Sequence, residues 1–226
     1  MHYLRKLTIS IALLISFGIG AQNPETFKSP KKYLQIGFNF GKFEQEGLAP
    51  LHSDIGASLT MFHSFWILKP GTQRFKLGIE ASWCDFDYNR YKVNMASEQD
   101  GSHSYTFHQG NIGAQIGLGV DFHFNRNLRL HARSCYNPAF SAMYIDDEFK
   151  YAFANCISSG LILTWKRIGV GVDFKFGKAK YKNLNFVNNY NDEEEFDETQ
   201  LPSSTGNNER IPVKLFNIKT SLVFNF

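Results

Sequence analysis

The sequence predicts an all-β chain folded as one eight-stranded antiparallel up-and-down barrel, and three observations lead to that prediction. The last eleven residues, Phe216 to Phe226, alternate apolar or β-branched side chains with a mostly polar set. This period of two is expected of a strand with unlike faces. Seven further segments alternate in a similar way. The connections between the segments are alternately long and short, as in membrane barrels.

The start of the chain has the features of a secretory signal peptide. Basic residues at 5–6 precede an apolar run of about 14 residues at 7–20, and Ala21 is the small residue before the cleavage point. The run is too short for a transmembrane helix, which needs roughly 20 residues. We therefore expect a signal peptide at 1–21, a periplasmic N-terminal lead at 22–32 and a single barrel domain at 33–226.

The composition fits a small membrane barrel. Aromatic residues make up 15% of the chain, with 22 Phe, and there are 18 Gly, which suits lipid-facing positions and a crowded interior. A mean hydropathy of −0.29 does not exclude a membrane, because alternating strands average out in any hydropathy window. The net charge of +3 is small and its basic residues are scattered, so we expect no nucleic-acid partner.

Eight strands can be placed, each by its own alternation. The clearest alternation is in the first strand, whereas the second loses its phase beyond Met61 and the fourth shifts phase near Gly110. A Pro-Gly pair at 70–71 marks the turn before the third strand, and Asn125 begins the turn after the fourth. The predicted ranges are 33–43, 55–68, 75–84, 105–124, 128–136, 153–165, 168–176 and 216–226.

The spacing of the strands predicts which side of the membrane each connection occupies. The two-residue connection Lys166–Arg167 forces the sixth and seventh strands to be antiparallel. An even number of such strands puts both ends of the domain on the side of the short turns, which in outer-membrane barrels is periplasmic. The connections predicted to be long and extracellular are 44–53, 86–104, 137–152 and 178–211.

Charges of both signs on the polar faces favour lipid outside the barrel and a salt-bridged polar network inside it. Eight strands would leave that lumen too narrow for an open channel. A secreted lipocalin-like barrel, with its apolar face turned inward to a ligand, is the structural alternative. The residues predicted to form the luminal network are Lys76, Glu80, Asp121, His123, Arg129, His131, Arg133, Asp173, Lys175 and Lys219.

Aromatic residues lie near both ends of the predicted strands, where they would form two girdles at the membrane interfaces. On the side of the short turns these are Tyr33, Trp66, Phe124, Trp165, Phe224 and Phe226. On the side of the long connections they are Phe43, Trp83, Tyr136, Phe176 and Phe216.

A signal ending at Ala21-Gln22, eight amphipathic strands and a terminal strand ending in Phe226 resemble the small eight-stranded outer-membrane barrels of the OmpA/OmpX type. The resemblance covers essentially all of the mature chain and rests on pattern, without a fingerprint sequence. It implies the outer membrane of a Gram-negative bacterium, contact with outer-membrane lipid and recognition by the barrel-assembly machinery. It also implies a barrel-insertion role for Leu222, Phe224 and Phe226.

Function is predicted only coarsely. The four long connections suggest a structural, adhesive or partner-binding role, with a surface or envelope protein as the partner. The last connection contains six acidic residues in the seven positions 192–198, a run expected to stay solvated. The sequence indicates no catalytic residue, no cofactor and no metal site. A lipid-modifying enzyme with His103 and Ser104 at the rim, or a component of a secretion or envelope-assembly complex, remains the functional alternative.

The three cysteines raise the question of a disulfide, because a signal peptide implies an oxidising compartment. Cys135 and Cys156 lie near the ends of adjacent predicted strands and could pair, which would leave Cys84 over. Geometry decides whether such a pair can form.

Overall fold

The computed structural model describes residues 29–46, 49–68, 74–97, 101–145, 148–182, 184 and 210–226. These form a closed barrel of eight antiparallel strands in chain order, which confirms the predicted fold class. The strands are β1 (Lys32–Gln45), β2 (Leu51–Leu68), β3 (Phe75–Ser97), β4 (Gly101–His123), β5 (Leu128–Ile145), β6 (Glu148–Trp165), β7 (Ile168–Lys182) and β8 (Arg210–Asn225). The predicted signal peptide lies outside the described residues, and no described helix is long and apolar enough to cross a membrane.

The strands are tilted, because the pairing is staggered around the barrel. A path of paired residues that leaves β1 at Gln35 returns to β1 at Gln45, ten residues further along. A stagger of this size goes with a strand tilt of roughly 35–45°. We call the end of the barrel opposite both described termini the outer rim. With each step from one strand to the next in chain order, the path of paired residues moves slightly more than one residue closer to this outer rim. The path runs through Thr60, Asp85, Gly113, Ala139, Ala154, Ala179 and Val213.

The exterior of the barrel is apolar where the interior is polar. On β7 the side chains alternate strictly, with Val172 and Phe174 outside and Asp173 and Lys175 inside. The apolar exterior positions of this strand extend over nine residues, 168–176. A tilted strand needs about 9–11 residues to cross the hydrocarbon core of a bilayer. The length of the apolar face thus matches a membrane.

A one-residue bulge in β3 changes which side chains enter the lumen. Ser82 pairs with Phe62 and Cys84 with Met61, so Trp83 is the extra residue. Before the bulge the even-numbered residues face inward, and after it the odd-numbered ones do. Bulges of this kind re-aim the side chains that follow them.

The bulge explains an incorrect prediction at the second long connection. The range 86–104 was predicted as a loop, whereas β3 continues to Ser97 and β4 begins at Gly101. Beyond the bulge Asp85, Asp87 and Asn89 face the lumen, in the opposite phase to the first part of β3. If the phase of the first part is continued, these polar residues fall on the apolar face, so the strand is predicted to end and a loop to begin.

The predicted loop at 137–152 is also paired strand. β5 runs on to Ile145 and β6 begins at Glu148. Pro138 is tolerated inside β5 because the pairing of β5 with β4 skips from Ala139 to Tyr136 at this point. The side-chain amide of Asn137 bonds the carbonyl of Ala114 there, at 3.1 Å.

The prediction of four long extracellular loops is therefore wrong for three of the connections. β1 extends to Gln45 and β2 starts at Leu51, which shortens the first connection as well. The fourth connection is the long one, between Lys182 and Arg210, and all of it except residue 184 lies outside the described residues. What projects from the outer end of the described barrel is mainly paired strand.

Three of the predicted girdle residues point into the barrel. Tyr33 and Phe43 are only 3% and 1% exposed, because both share the inward phase of Gln35 on β1. Trp66 lies edge-on to the luminal His131, at 6.0 Å between ring centroids. The predicted phase shift near Gly110 is also absent from described β4, whose odd-numbered residues face inward throughout the part for which burial is described.

The seam between β1 and β8 closes tightly at Gly37. A Cβ at this position would lie 2.0 Å from the backbone carbonyl oxygen of Thr220 on β8. We expect Gly37→Ala to destabilise the barrel by roughly 1–3 kcal/mol, because a backbone group cannot move aside as a side chain does. The measurement is the temperature at which the fast-migrating folded band converts to the unfolded band on a detergent gel.

Gly110→Ala is the matched control, since nothing lies within 4 Å of a Cβ built there. Equal conversion temperatures for the two variants would contradict a tight seam at Gly37.

Candidate functional site

The outer end of the lumen is filled by apolar side chains. Phe43, Tyr91, Phe107 and Tyr181 are each at most 1% exposed, and the Tyr91 and Phe107 rings stack at 4.8 Å. Leu184, just beyond the end of β7, is 2% exposed and packs in the same cluster. The mouth of the barrel nearest the outer rim is thus closed by a hydrophobic layer.

Hydrogen bonds from two of these tyrosines connect the apolar layer to the polar interior beneath it. Tyr91 donates to Oε1 of Gln109 at 3.2 Å, and the Gln109 amide donates to the Tyr181 hydroxyl at 3.0 Å. The Tyr181 and Ser141 hydroxyls are 2.5 Å apart. The buried hydroxyls therefore have partners, as buried polar groups require.

Below this layer, two carboxylates bind two ammonium groups. Lys175 donates to Asp85 and Asp87, both at 2.8 Å, and Lys219 donates to Asp85 at 2.9 Å and also pairs with Asp87. Asp85 accepts two further bonds, from Thr60 at 2.8 Å and, across the lumen, from the side-chain amide of Asn137 on β5. The side chains of this charged quartet are at most 4% exposed.

Arg133 forms the next layer towards the end with the short turns. Its guanidinium donates to Asp173 at 2.6 Å and to Oε1 of Gln35 at 2.7 Å. The same group lies 3.7 Å from the centroid of the Phe62 ring, which is cation–π geometry. Gly160 leaves the space that the Asp173 carboxylate occupies, since a Cβ there would lie 1.8 Å from that group.

Asp121 organises the layer nearest the end with the short turns. Its carboxylate contacts His131 at 2.7 Å and Arg129 at 3.2 Å. Glu80 accepts a bond from the Tyr33 hydroxyl at 2.7 Å and lies 3.7 Å from His131. Charges of both signs therefore face one another in each of the three layers beneath the apolar one.

The N-terminal lead contacts the mouth of the barrel at the end with the short turns. The Ser29 hydroxyl lies 2.9 Å from Nε2 of His123, and the Trp66 indole donates to the carbonyl of Pro30 at 3.3 Å. The Ser29–His123 pair does not have the geometry of a catalytic triad, because Asp121 approaches the same nitrogen, at 3.9 Å. In a triad the carboxylate binds the other ring nitrogen.

The structure places all ten residues predicted for the luminal network inside the barrel. It also brings in residues that the sequence interpretation missed, chiefly Asp85, Asp87, Tyr33 and Gln35. The alternation of Asp85, Asp87 and Asn89 was a usable signal, but it required allowance for the bulge. In the described part of the chain, no group of three or more His, Cys, Asp or Glu side chains is arranged to hold a metal ion.

Cys135 and Cys156 face the lumen as free thiols, so the disulfide suggested by the sequence is not formed in this structure. Cys135 pairs across the strands with Ser158, and Cys156 with Asn137, which puts the two cysteines two positions out of register. Diagonal neighbours have Cα atoms about 7–8 Å apart, beyond the usual range for a disulfide.

The residues given an insertion role by the resemblance lie at the closing strand. Leu222 pairs with Ile36 and Phe224 with Leu34, and the side chain of Leu222 points outward, as does that of Phe226 after the strand. The insertion role itself stays a prediction.

The exterior positions of all eight strands form a largely apolar band next to the short turns. This band includes Trp165, which is 56% exposed, and Ile168, which is 57% exposed, at the turn between β6 and β7. A soluble barrel would reverse this distribution, with water outside and an apolar core. The barrel spans a membrane.

Just beyond the apolar band, at one height on the barrel wall, two neighbouring surfaces differ in the type of side chain that they expose. On β7 the exterior becomes basic at Lys178, the residue that pairs with Asn155 of β6. On β6 the exterior continues outward from Asn155 with Phe153, Tyr151 and Phe149. We call the β5–β6 surface the aromatic rim, formed by Phe140, Tyr144, Phe149, Tyr151 and Phe153. We call the surface on β7, β8 and β1 the basic rim, formed by Lys42, Lys178, Lys180, Lys182, Arg210 and Lys214.

Between these surfaces, on β2 and β3, the outer end carries a paired charge group. Arg90 donates two bonds to Asp54, at 3.0 and 2.8 Å, and Lys92 lies 3.4 Å from the same carboxylate. The bonds from Arg90 lower the pKa of Asp54 to about 2, so this pair stays charged at physiological pH.

The comparisons with known proteins concern overall barrel form. Among solved structures, the chain is similar to Ail, the attachment invasion locus protein of Yersinia pestis, at 7% identity and a TM-score of 0.42, covering 88% of this chain and 100% of Ail. It is similar to neisserial surface protein A at 12% identity and a TM-score of 0.45, covering 87% and 97%. It is similar to the outer membrane protease OmpT of Escherichia coli at 11% and 0.42, covering 90% and 100%. No protein-family model and no curated protein matches the chain significantly.

The charged quartet generates a stability prediction. Asp85→Asn removes the carboxylate shared by Lys175 and Lys219, and leaving a buried charge with too few partners costs about 3–5 kcal/mol. We expect the detergent-folded barrel to unfold at a lower urea concentration, followed by tryptophan fluorescence. Asp54→Asn is the matched control, because that ion pair is solvent-exposed and such pairs contribute little. Equal unfolding midpoints for the two variants would show that the quartet is not a structural element.

The free thiols generate a second prediction. We expect the chain, unfolded in guanidinium without reductant after folding in the outer membrane, to take up three maleimide groups, one for each cysteine. Intact mass measures the number of labels. A chain that takes up one label without reductant and three with it would contain the disulfide that the structure lacks.

Proposed function

We propose that this outer-membrane barrel binds a partner protein of the cell envelope or its surroundings through the aromatic rim. The observation that carries the proposal is the exterior of β6 beyond the apolar band. Phe149, Tyr151 and Phe153 are 73%, 62% and 61% exposed, at and beyond the height where the neighbouring strand has become basic. Contiguous aromatic surface that continues outward beyond the level of the hydrocarbon core is costly to expose and marks interaction sites.

The aromatic rim is well ordered for binding. The Phe140 and Tyr151 rings stack at 6.1 Å, and those of Tyr144 and Phe149 lie 4.9 Å apart. β5 and β6 pair continuously from Ile145 and Glu148 inward, so the rings are carried by a regular hairpin. Rigid aromatic side chains lose little conformational entropy on binding, which is one reason why they dominate binding hot spots.

The filled lumen supports a role at the rim in preference to a role in conduction. Met143 and Phe107 are 0% exposed inside the outer mouth, and the charged quartet lies beneath them. A passage for solutes would have to break both layers. The barrel therefore supplies a stable anchor, and its projecting hairpins supply the contact surface.

The experiment is photo-crosslinking in cells. A benzoylphenylalanine replaces Phe149 or Tyr151, and a control chain carries it at Val170, which lies on the exterior within the apolar band and is 58% exposed. We expect a discrete, protein-sized adduct from the two rim positions, and lipid adducts alone from position 170. Mass spectrometry identifies the partner, and an adduct of twice the chain mass would identify a second copy of the chain.

Specificity is checked with a variant that removes the aromatic surface. In a chain with the crosslinker at Phe149, we expect Tyr151→Ser combined with Phe153→Ser to abolish the protein adduct while the heat-modifiable band remains. Adducts to lipid alone at every position, or a protein adduct unchanged by the two serines, would overturn the proposal.

A further inference from the structure

The basic rim is a dense group of cations on the outer side of the barrel wall. On β7 the exterior positions change from Phe174 and Phe176 to Lys178, Lys180 and Lys182 without a break in the alternation. Because the apolar part of this strand already has the length of the hydrocarbon core, the lysines begin at the level of the lipid head groups. Their ammonium groups therefore face the polar surface of the outer leaflet.

Several of these cations are placed directly opposite one another. Lys178 pairs in register with Lys214 of β8, and Lys182 pairs with Arg210. All four side chains are exposed and point outward. Like charges directly opposite on one face of an antiparallel pair are destabilising. An anion between them converts that repulsion into two attractive contacts.

A groove at this point is basic at its outer side and aromatic at its inner side. It has a volume of about 430 Å³ and is lined by Lys178 and Lys214 together with Phe176 and Phe216. Lys42 of β1 closes one side, where it is paired with Glu44. The rings lie within the membrane-facing exterior, at 46% and 37% exposure for Phe176 and Phe216. The groove thus offers charge to a head group and an apolar surface to acyl chains.

We propose that the basic rim binds a phosphorylated lipid of the outer leaflet, with phosphate between Lys178 and Lys214 and acyl chain against Phe176 and Phe216. Lysine is a compact, mobile point charge and suits phosphate oxygens that approach from several directions. The aromatic rim occupies the same height on the adjacent strands β6 and β5, so this lipid contact is confined to β7, β8 and β1. The site is independent of the partner-binding role proposed above.

The rival occupant is the acidic run 192–198 of the same chain, which joins the strands that carry the lysines. Carboxylates would satisfy the lysines, but Phe196, the one apolar side chain of this run, offers the aromatic side of the groove less surface than acyl chains do. A phosphorylated lipid satisfies both sides, which is why we favour it.

The experiment measures lipid binding by the full chain in nanodiscs of neutral phosphatidylcholine. Diphosphoryl lipid A is titrated and followed by native mass spectrometry, with its dephosphorylated form and inorganic phosphate as separate probes. We expect Lys178→Gln combined with Lys214→Gln to weaken diphosphoryl lipid A binding by roughly tenfold or more, because the variant removes two cations that attract an anionic lipid head group. The wild-type chain should bind the dephosphorylated lipid more weakly by a similar factor.

Lys166→Gln combined with Arg167→Gln is the matched control. It removes the same charge at the periplasmic turn, and we expect its lipid affinity to equal that of the wild type. Equal losses in both double variants, or equal affinity for both lipid forms, would overturn the proposal. Binding of inorganic phosphate as tight as that of the lipid would overturn the lipid assignment. Lipid binding that appears only after residues 190–200 are deleted would assign the rim to the acidic run.

Discussion

Closure of the sheet between β1 and β8 is the constraint on which the rest of this structure depends. A bilayer core offers no hydrogen-bond partner to backbone amides, so a sheet can cross it only when its two edges pair with each other. Here the edges pair from Tyr33 with Asn225 to Gln45 with Val213, and the circuit closes with a displacement of ten residues. That displacement tilts the strands, and the tilt sets both the thickness of the apolar band and the height at which each exterior changes character.

Closure also creates the interior that the charges must fill. Eight strands enclose a space with room for side chains and little else, so every second residue of every strand meets the others there. The sequence fills this space with opposite charges on facing strands, Asp85 and Asp87 against Lys175 and Lys219, and Asp173 against Arg133. Each charge is thereby compensated at hydrogen-bond distance, and the outward residues are free to be apolar. The polar interior and the apolar exterior are two consequences of one alternation.

This alternation is also what made the fold predictable from sequence, and its interruption marks where prediction failed. Strands such as Ile168 to Phe176 keep one phase, so their faces and pairing could be assigned without coordinates. Trp83 adds one residue to β3 and reverses the phase, and local periodicity cannot distinguish such a bulge from the end of a strand. As a result the prediction places Asp87 in a loop and Asp85 outside any strand, although both are central to the lumen. The contacts of Tyr33 with Glu80 and Arg133 depend on the stagger around the whole barrel, which local patterns do not contain.

Exterior side chains have to be compared by their height on the barrel wall, because residues that are distant in the chain can lie at the same level. Lys178 and Phe153 are on adjacent strands and lie at nearly the same level, yet one side of the barrel presents ammonium groups there and the other presents aromatic rings. A barrel adapted only to lipid would have the same type of side chain all around at each level, because the bilayer is uniform in its plane. The two rims break that uniformity in opposite ways, one towards charge and one towards aromatic surface. The two neighbours proposed above, an anionic lipid at β7 and β8 and a protein at β5 and β6, would account for this difference at one height.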